Sequence, residues 1–119
     1  MRYAMLVYGD HSAWEALSAE EAARQRAESM PRWIALFEEM GKIDPDVLGR
    51  ELANGSEGRV VRVVDGQTVV TDGPFAETKE QLGGIFVTEL PDLDEAIRLA
   101  ALVPSAESGT LEIRPLGTM

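Results

Sequence analysis

The sequence predicts an α+β domain of order β-α-β-β-α-β, with an extra β-hairpin inserted before the third strand of that frame. Three observations carry the prediction. Residues 3–8 and 84–90 are apolar on both faces, as the central pair of a covered sheet should be. Two amphipathic stretches, opening at Ser18 and Asp92, begin with capping residues. Asp65-Gly66, flanked by residues 59–64 and 67–71, is the strongest short-range signal for a tight hairpin.

Residues 2–9, Arg-Tyr-Ala-Met-Leu-Val-Tyr-Gly, read as the first strand, with Tyr3, Met5 and Val7 on one face and Ala4, Leu6 and Tyr8 on the other. It stops at Gly9-Asp10, and His11, Ser12 and Ala13 lead into Trp14. In Ser18-Ala-Glu-Glu21, Ser18 is the N-cap and Glu21 reaches back to complete a capping box. The helix runs toward Gly41, a suitable stop, with Ala23, Ala27, Met30, Ile34 and Phe37 as its inner face and Trp33 and Met40 beside it. Pro31 predicts a break near Ser29, because proline lacks the N–H and clashes with the preceding turn.

Residues 42–52 contain Pro45 and Gly49 and leave room only for a short peripheral strand; residues 53–58 are loop. After the hairpin comes the most distinctive stretch, Thr-Asp-Gly-Pro-Phe-Ala-Glu-Thr-Lys-Glu-Gln-Leu-Gly-Gly, residues 71–84. Asp72-Gly73-Pro74 is turn chemistry, and Gly83-Gly84 lets the chain pass close to a neighbouring backbone. In the next strand Ile85 and Val87 face one way, Phe86 and Thr88 the other. Asp92 caps the second helix, whose face is Leu93, Ala96, Ile97, Ala100 and Ala101 and which Pro104 ends. Residues 111–116 alternate, and Pro115 suits an edge strand.

With the hairpin set aside, this order is the split βαβ, or ferredoxin-like, unit. Its first and third strands are the middle pair, and these are the two segments that are apolar on both faces. Two helices roof only one side of such a sheet. A second copy, packed sheet to sheet about a two-fold axis, is the simplest cover for the other side. The expectation is a homodimer burying about 1,600 Å² or more.

The 119 residues make one domain, 1–119, with 45% hydrophobic residues, enough to form a core without staples. There is no cysteine, which removes disulfides, thiolate metal sites and a cysteine nucleophile. A net charge of −10 repels phosphate backbones, so no nucleic-acid partner is expected. No span is long enough to cross a membrane, and the apolar start is too short for a signal-peptide core; a cytoplasmic location is expected.

The opening Tyr-Ala-Met-Leu-Val-Tyr-Gly-Asp with Trp14, the run from Val70 to Gly84, Leu-Pro-Asp-Leu-Asp-Glu-Ala and the final Glu-Ile-Arg-Pro-Leu resemble DGPF-domain proteins, a branch of the YCII-related family. The resemblance spans nearly the whole chain. It implies a ferredoxin-like fold forming a dimeric α+β barrel, bacterial origin, a pocket beside the sheet, and a gene neighbourhood shared with extracytoplasmic-function sigma factors. Enzyme-like members of the family are thought to use a His on the first helix and an Asp after the second. Those positions fall at or near Met30 and near Val103, and neither side chain moves a proton. That chemistry does not transfer.

The ligand-binding candidates are Tyr8, Asp10, His11, Trp14, Asp72, Phe75 and Lys79. His11 beside Asp10 suits general acid–base work, or is a solvated loop residue next to a turn aspartate. Asp72 either caps its turn or is held there for a ligand, with Lys79 pairing an anion or a carboxylate across the dimer; Glu77, Lys79 and Glu80 also read as a solvated charge run. Tyr8 and Trp14 suit the lining of a small apolar pocket, whereas Trp33 and Phe75 read as core aromatics. No phosphate loop, nucleophile elbow or metal-ligand spacing is present, and no cofactor is expected. Three functions remain open: a small-molecule module, binding or catalytic (catalytic residues unassigned), with a pocket between the first-strand end and the Asp-Gly-Pro-Phe loop; a non-catalytic regulatory or interaction dimer; or a structural dimer whose pocket takes no ligand.

Overall fold

The computed structural model describes residues 1–117. Strand β1 (Arg2–Gly9) is followed by a short helix α1 (His11–Glu15), a long helix α2 (Ala19–Ile43) and strand β2 (Leu48–Glu51). The hairpin β3 (Arg59–Val64) and β4 (Gln67–Asp72) comes next, then β5 (Gln81–Glu89), helix α3 (Leu93–Ala100) and β6 (Thr110–Pro115). The main sheet has the order β2-β5-β1-β6, and all of its pairs are antiparallel. This is the ferredoxin-like α+β fold, with β1 and β5 in the middle and β6 at an edge. The hairpin is a separate two-stranded sheet inserted in the β2–β5 connection.

Tyr3, Met5 and Val7 of β1 and Phe86 and Thr88 of β5 point into the core with Leu36, Met40, Leu99 and Val103. The opposite face carries Ala4, Leu6, Ile85, Val87 and Leu48, none of them fully buried. The helix caps form as expected: the Glu21 N–H donates to Ser18 Oγ (3.1 Å), and the Glu95 N–H to Asp92 Oδ1 (2.9 Å). Asp65 and Gly66 take φ of 50° and 77°, the doubly left-handed turn that suits the twist of a hairpin.

Helix α2 departs from expectation in three ways. It runs unbroken through Pro31, and it passes Gly41 to end at Ile43 with Asp44 as C-cap. Its buried side is Leu36 and Met40, with Trp33 and Ile43 packed beside them, whereas Met30, Ile34 and Phe37 remain exposed. Pro31 costs the helix one hydrogen bond, to the Ala27 carbonyl. Both residues are exposed, so the lost bond does not fall in the core, and the burial of Leu36 and Met40 further along anchors the helix. Likewise α3 buries Ala96, Leu99 and Ala100 but exposes Leu93 and Ile97, and Pro104 opens a short 3₁₀ turn after the helix has already ended.

Asp44 ties α2 to the sheet. One carboxylate oxygen accepts from the Glu89 N–H (2.9 Å) and Thr88 Oγ1 (3.2 Å), the other from the Asp46 N–H (3.0 Å). These bonds, the Glu89 amide foremost, hold its carboxyl below the ordinary 3.8. Thr88 is the one buried polar side chain among the described residues, and this bond satisfies it.

Candidate functional site

A cleft of about 580 Å³ opens where β1 ends. Its walls are Tyr8 and Leu82 of the main sheet, Leu52 just after β2, the turn Asn54–Gly58, Arg59 and Val60 at the hairpin base, and the loop Gly73-Pro74-Phe75-Ala76. Glycines allow these pieces to meet. A Cβ on Gly73 would come within 2.6 Å of the Gly55 carbonyl oxygen, and one on Gly55 within 2.9 Å of Pro74. The Gly73 N–H donates to the Gly58 carbonyl (2.9 Å), which closes the base of the hairpin. Close approach, rather than positive φ, is therefore what demands glycine at position 73.

The floor of the loop is held by Gln81, whose side-chain amide donates to the carbonyls of Ala76 (2.8 Å) and Thr78 (2.9 Å). Glu80 accepts from Thr110 Oγ1 (3.1 Å), which joins the same loop to β6. Polar groups at the cleft are few: Asn54, Glu57, Arg59, Thr78, Glu80 and Gln81. Arg59 is the only cation among them, and its Nε lies 3.5 Å from Asp72. The hollow is thus mostly apolar, with one arginine and two glutamates among its polar groups.

Of the seven candidate residues, Tyr8 and Phe75 line this cleft. Phe75 is not a core residue: it is 76% exposed, with the Arg62 guanidinium 5.7 Å from its ring centroid. Asp72 stands just outside, exposed and paired with Arg59. Asp10 caps α1 and accepts from the Ser12 N–H (3.1 Å) and hydroxyl (2.5 Å); chiefly for that reason its carboxyl sits below the ordinary range, with Lys79 adding a weaker attraction. The His11 imidazole occupies the space in front of Gly83, where a Cβ would approach Nε2 to 2.6 Å. Gly83 is the extra residue where the β1–β5 register shifts; its side-chain position faces this imidazole, while its carbonyl accepts from the Leu52 N–H (2.9 Å).

Trp14 belongs to a different cluster. The Arg26 guanidinium lies 4.9 Å from its ring and makes a two-pronged bond to Glu51 (3.0 and 3.2 Å), holding the Glu51 carboxyl below its usual range. Glu15, next along α1, accepts from Asn54 Nδ2. Sequence reasoning missed Asn54, Arg59 and Gln81 as cleft residues. The one available signal was the glycine-rich run from Asn54 to Gly58, whose partner loop lies far along the chain. Among the described residues no group of His, Asp or Glu is placed to hold a metal ion, and no helix is long and apolar enough to cross a membrane.

A family model for the YCII-related domain matches residues 1–119. The chain belongs to the YCII-related family. It is similar to an uncharacterized protein of Rhizobium meliloti (strain 1021), 37% identical over 118 residues that cover 98% of this chain and 92% of that one. In this YCII-related domain Met30 lies exposed on α2, whereas Val103 is fully buried in the core. Neither lines the cleft.

Proposed function

We propose that this YCII-related domain binds a small molecule in the cleft between the end of β1 and the Asp-Gly-Pro-Phe loop. The observation that carries the reading is the cleft itself: about 580 Å³, mostly apolar, with Arg59 at its rim. That volume is in the range of ligand sites. The ligand is a compact apolar acid, its body against Tyr8, Leu82 and Phe75 and its anionic group toward Arg59. The protein works in the bacterial cytoplasm as a homodimer formed through the open sheet face. In support, Leu6, Ile85, Val87 and Leu48 make an apolar strip there, flanked by Arg50 on β2 and by Glu112 and Arg114 on β6.

The test is titration of the ¹⁵N-labelled protein with a panel of small aromatic and aliphatic carboxylic acids. Saturable shifts at Gly55, Gly73 and Phe75, weakened at least about tenfold in Arg59→Ala, are expected. No shift at these amides with any acid at millimolar concentration overturns the reading.

A further inference from the structure

The least covered part of the molecule is the β3–β4 hairpin. Its register sets Val61, Val63 and Val70 on one face, at 61, 71 and 56% exposure. The other face turns its base toward the cleft, where Val60 lines it and Arg62 stands over Phe75, and carries Val64 and Val69 at 51 and 42% exposure nearer the turn. The three-valine face is left to water. A lone two-stranded hairpin is marginal in water, and a bare β-branched face invites pairing with another chain. The hairpin also stretches the molecule. Its radius of gyration is 16.3 Å, against about 13.5 Å expected for a compact chain of this length.

We infer that this hairpin is a clasp that lays its Val61–Val63–Val70 face on a second copy of the chain. The inference rests on the sheet-face dimer proposed above and says what completes it. Area is the first argument. Four strands about 4.8 Å apart and about 20 Å long give the open face a flat footprint of roughly 400 Å². One hairpin face adds about 200 Å². Under two-fold symmetry each copy both gives a clasp and receives one, which about doubles the footprint of the sheet-face contact.

Charge is the second argument. Between Arg59 and Asp72 two arginines balance two aspartates, so the hairpin is neutral on a chain of net charge −10. Two acidic copies approach best through a neutral surface, whereas a basic partner would be drawn to the acidic remainder of the molecule.

The experiment uses the full chain in analytical ultracentrifugation, as wild type and as the double variant Val61→Lys, Val63→Lys. The wild type is expected to be a dimer, and the variant a folded chain whose dimer dissociation constant is raised at least about tenfold. A photo-cross-linking residue at position 63 should give a covalent dimer of the purified protein on irradiation. It reports contact even if the lysine variant fails to fold. A wild type that sediments as a monomer removes the dimer and the clasp together. A wild-type dimer with no cross-link from position 63, or a folded lysine variant that dimerises as tightly as wild type, removes the clasp and leaves the sheet-face dimer standing.

Discussion

Val7 and Val63 are the same side chain in the same kind of strand, yet Val7 is 8% exposed and Val63 is 71% exposed. Val7 sits in β1, where α2 and α3 roof one face of the sheet; Val63 sits in a hairpin that its own chain does not roof. The main sheet draws its stability from burial, about 1.5–3 kcal/mol for each large aliphatic side chain removed from water. The hairpin draws its own from the ladder, the Asp65-Gly66 turn and the closure at Gly58 and Gly73. β-propensity is thus silent on what a strand packs against. A valine-rich strand needs a cover, and the cover comes from elsewhere.

The contrast can be broken at either end. Leu99→Ala, at a fully buried site in α3, is expected to cost about 3–4 kcal/mol, read as a lower urea midpoint at unchanged slope. A result below about 1 kcal/mol would mean that the helices do not form the core described. Gly109→Ala, where a Cβ meets the Tyr8 carbonyl, should cost about 2–3 kcal/mol because neither backbone has room to yield. Its counterpart in the hairpin, Gly66→Ala, meets only open space and should cost about 1 kcal/mol through its positive φ alone.

The Asp44 carboxylate sharpens the comparison, because it is where helix and sheet are joined by polar bonds. Asp44→Ala should cost about 2 kcal/mol at neutral pH, since it leaves the Thr88 hydroxyl and the Glu89 amide without their acceptor. The folded carboxyl titrates below the ordinary 3.8, so its contribution is present above that value and is lost as pH falls through the lower folded one. The gap between wild type and variant should therefore hold steady above about pH 5 and close in acid, as thermal melts across pH would show. The smallest effect belongs to the hairpin surface: Val63→Ala should change the stability of the dilute single chain by less than about 0.5 kcal/mol. A larger loss there would mean that the valine face is already covered within one chain.

Features that depend on near neighbours were legible in the sequence. The Ser18 and Asp92 caps, the Asp65-Gly66 turn, the two-faced apolar strands and the edge position of the Pro115 strand all appear where the pattern put them. Helix faces were less legible. On α2 the series Met30, Ile34, Phe37 and the series Trp33, Leu36, Met40, Ile43 both keep helical spacing, and they lie side by side. Only docking on Phe86 and β1 selects the second, with Phe37 left on the shoulder at 5.7 Å from the Phe86 ring. The cleft was legible at Tyr8 and in the Asp-Gly-Pro-Phe loop but not at Asn54, Arg59 or Gln81, which join it through contacts distant in sequence.

By itself the sequence determined the order of the strands and the two main helices, the N-caps of those helices, the hairpin turn and the family, because each of these is written in residues a few positions apart; it did not show the short helix α1 or where α2 and α3 end. Tertiary structure alone decided which apolar stripe of α2 is buried, that Phe75 leaves the core, and that Gly73 must lack a side chain to pass Gly55. Those outcomes depend on distances between segments far apart in the chain, and periodicity along one segment carries no information about what will face it.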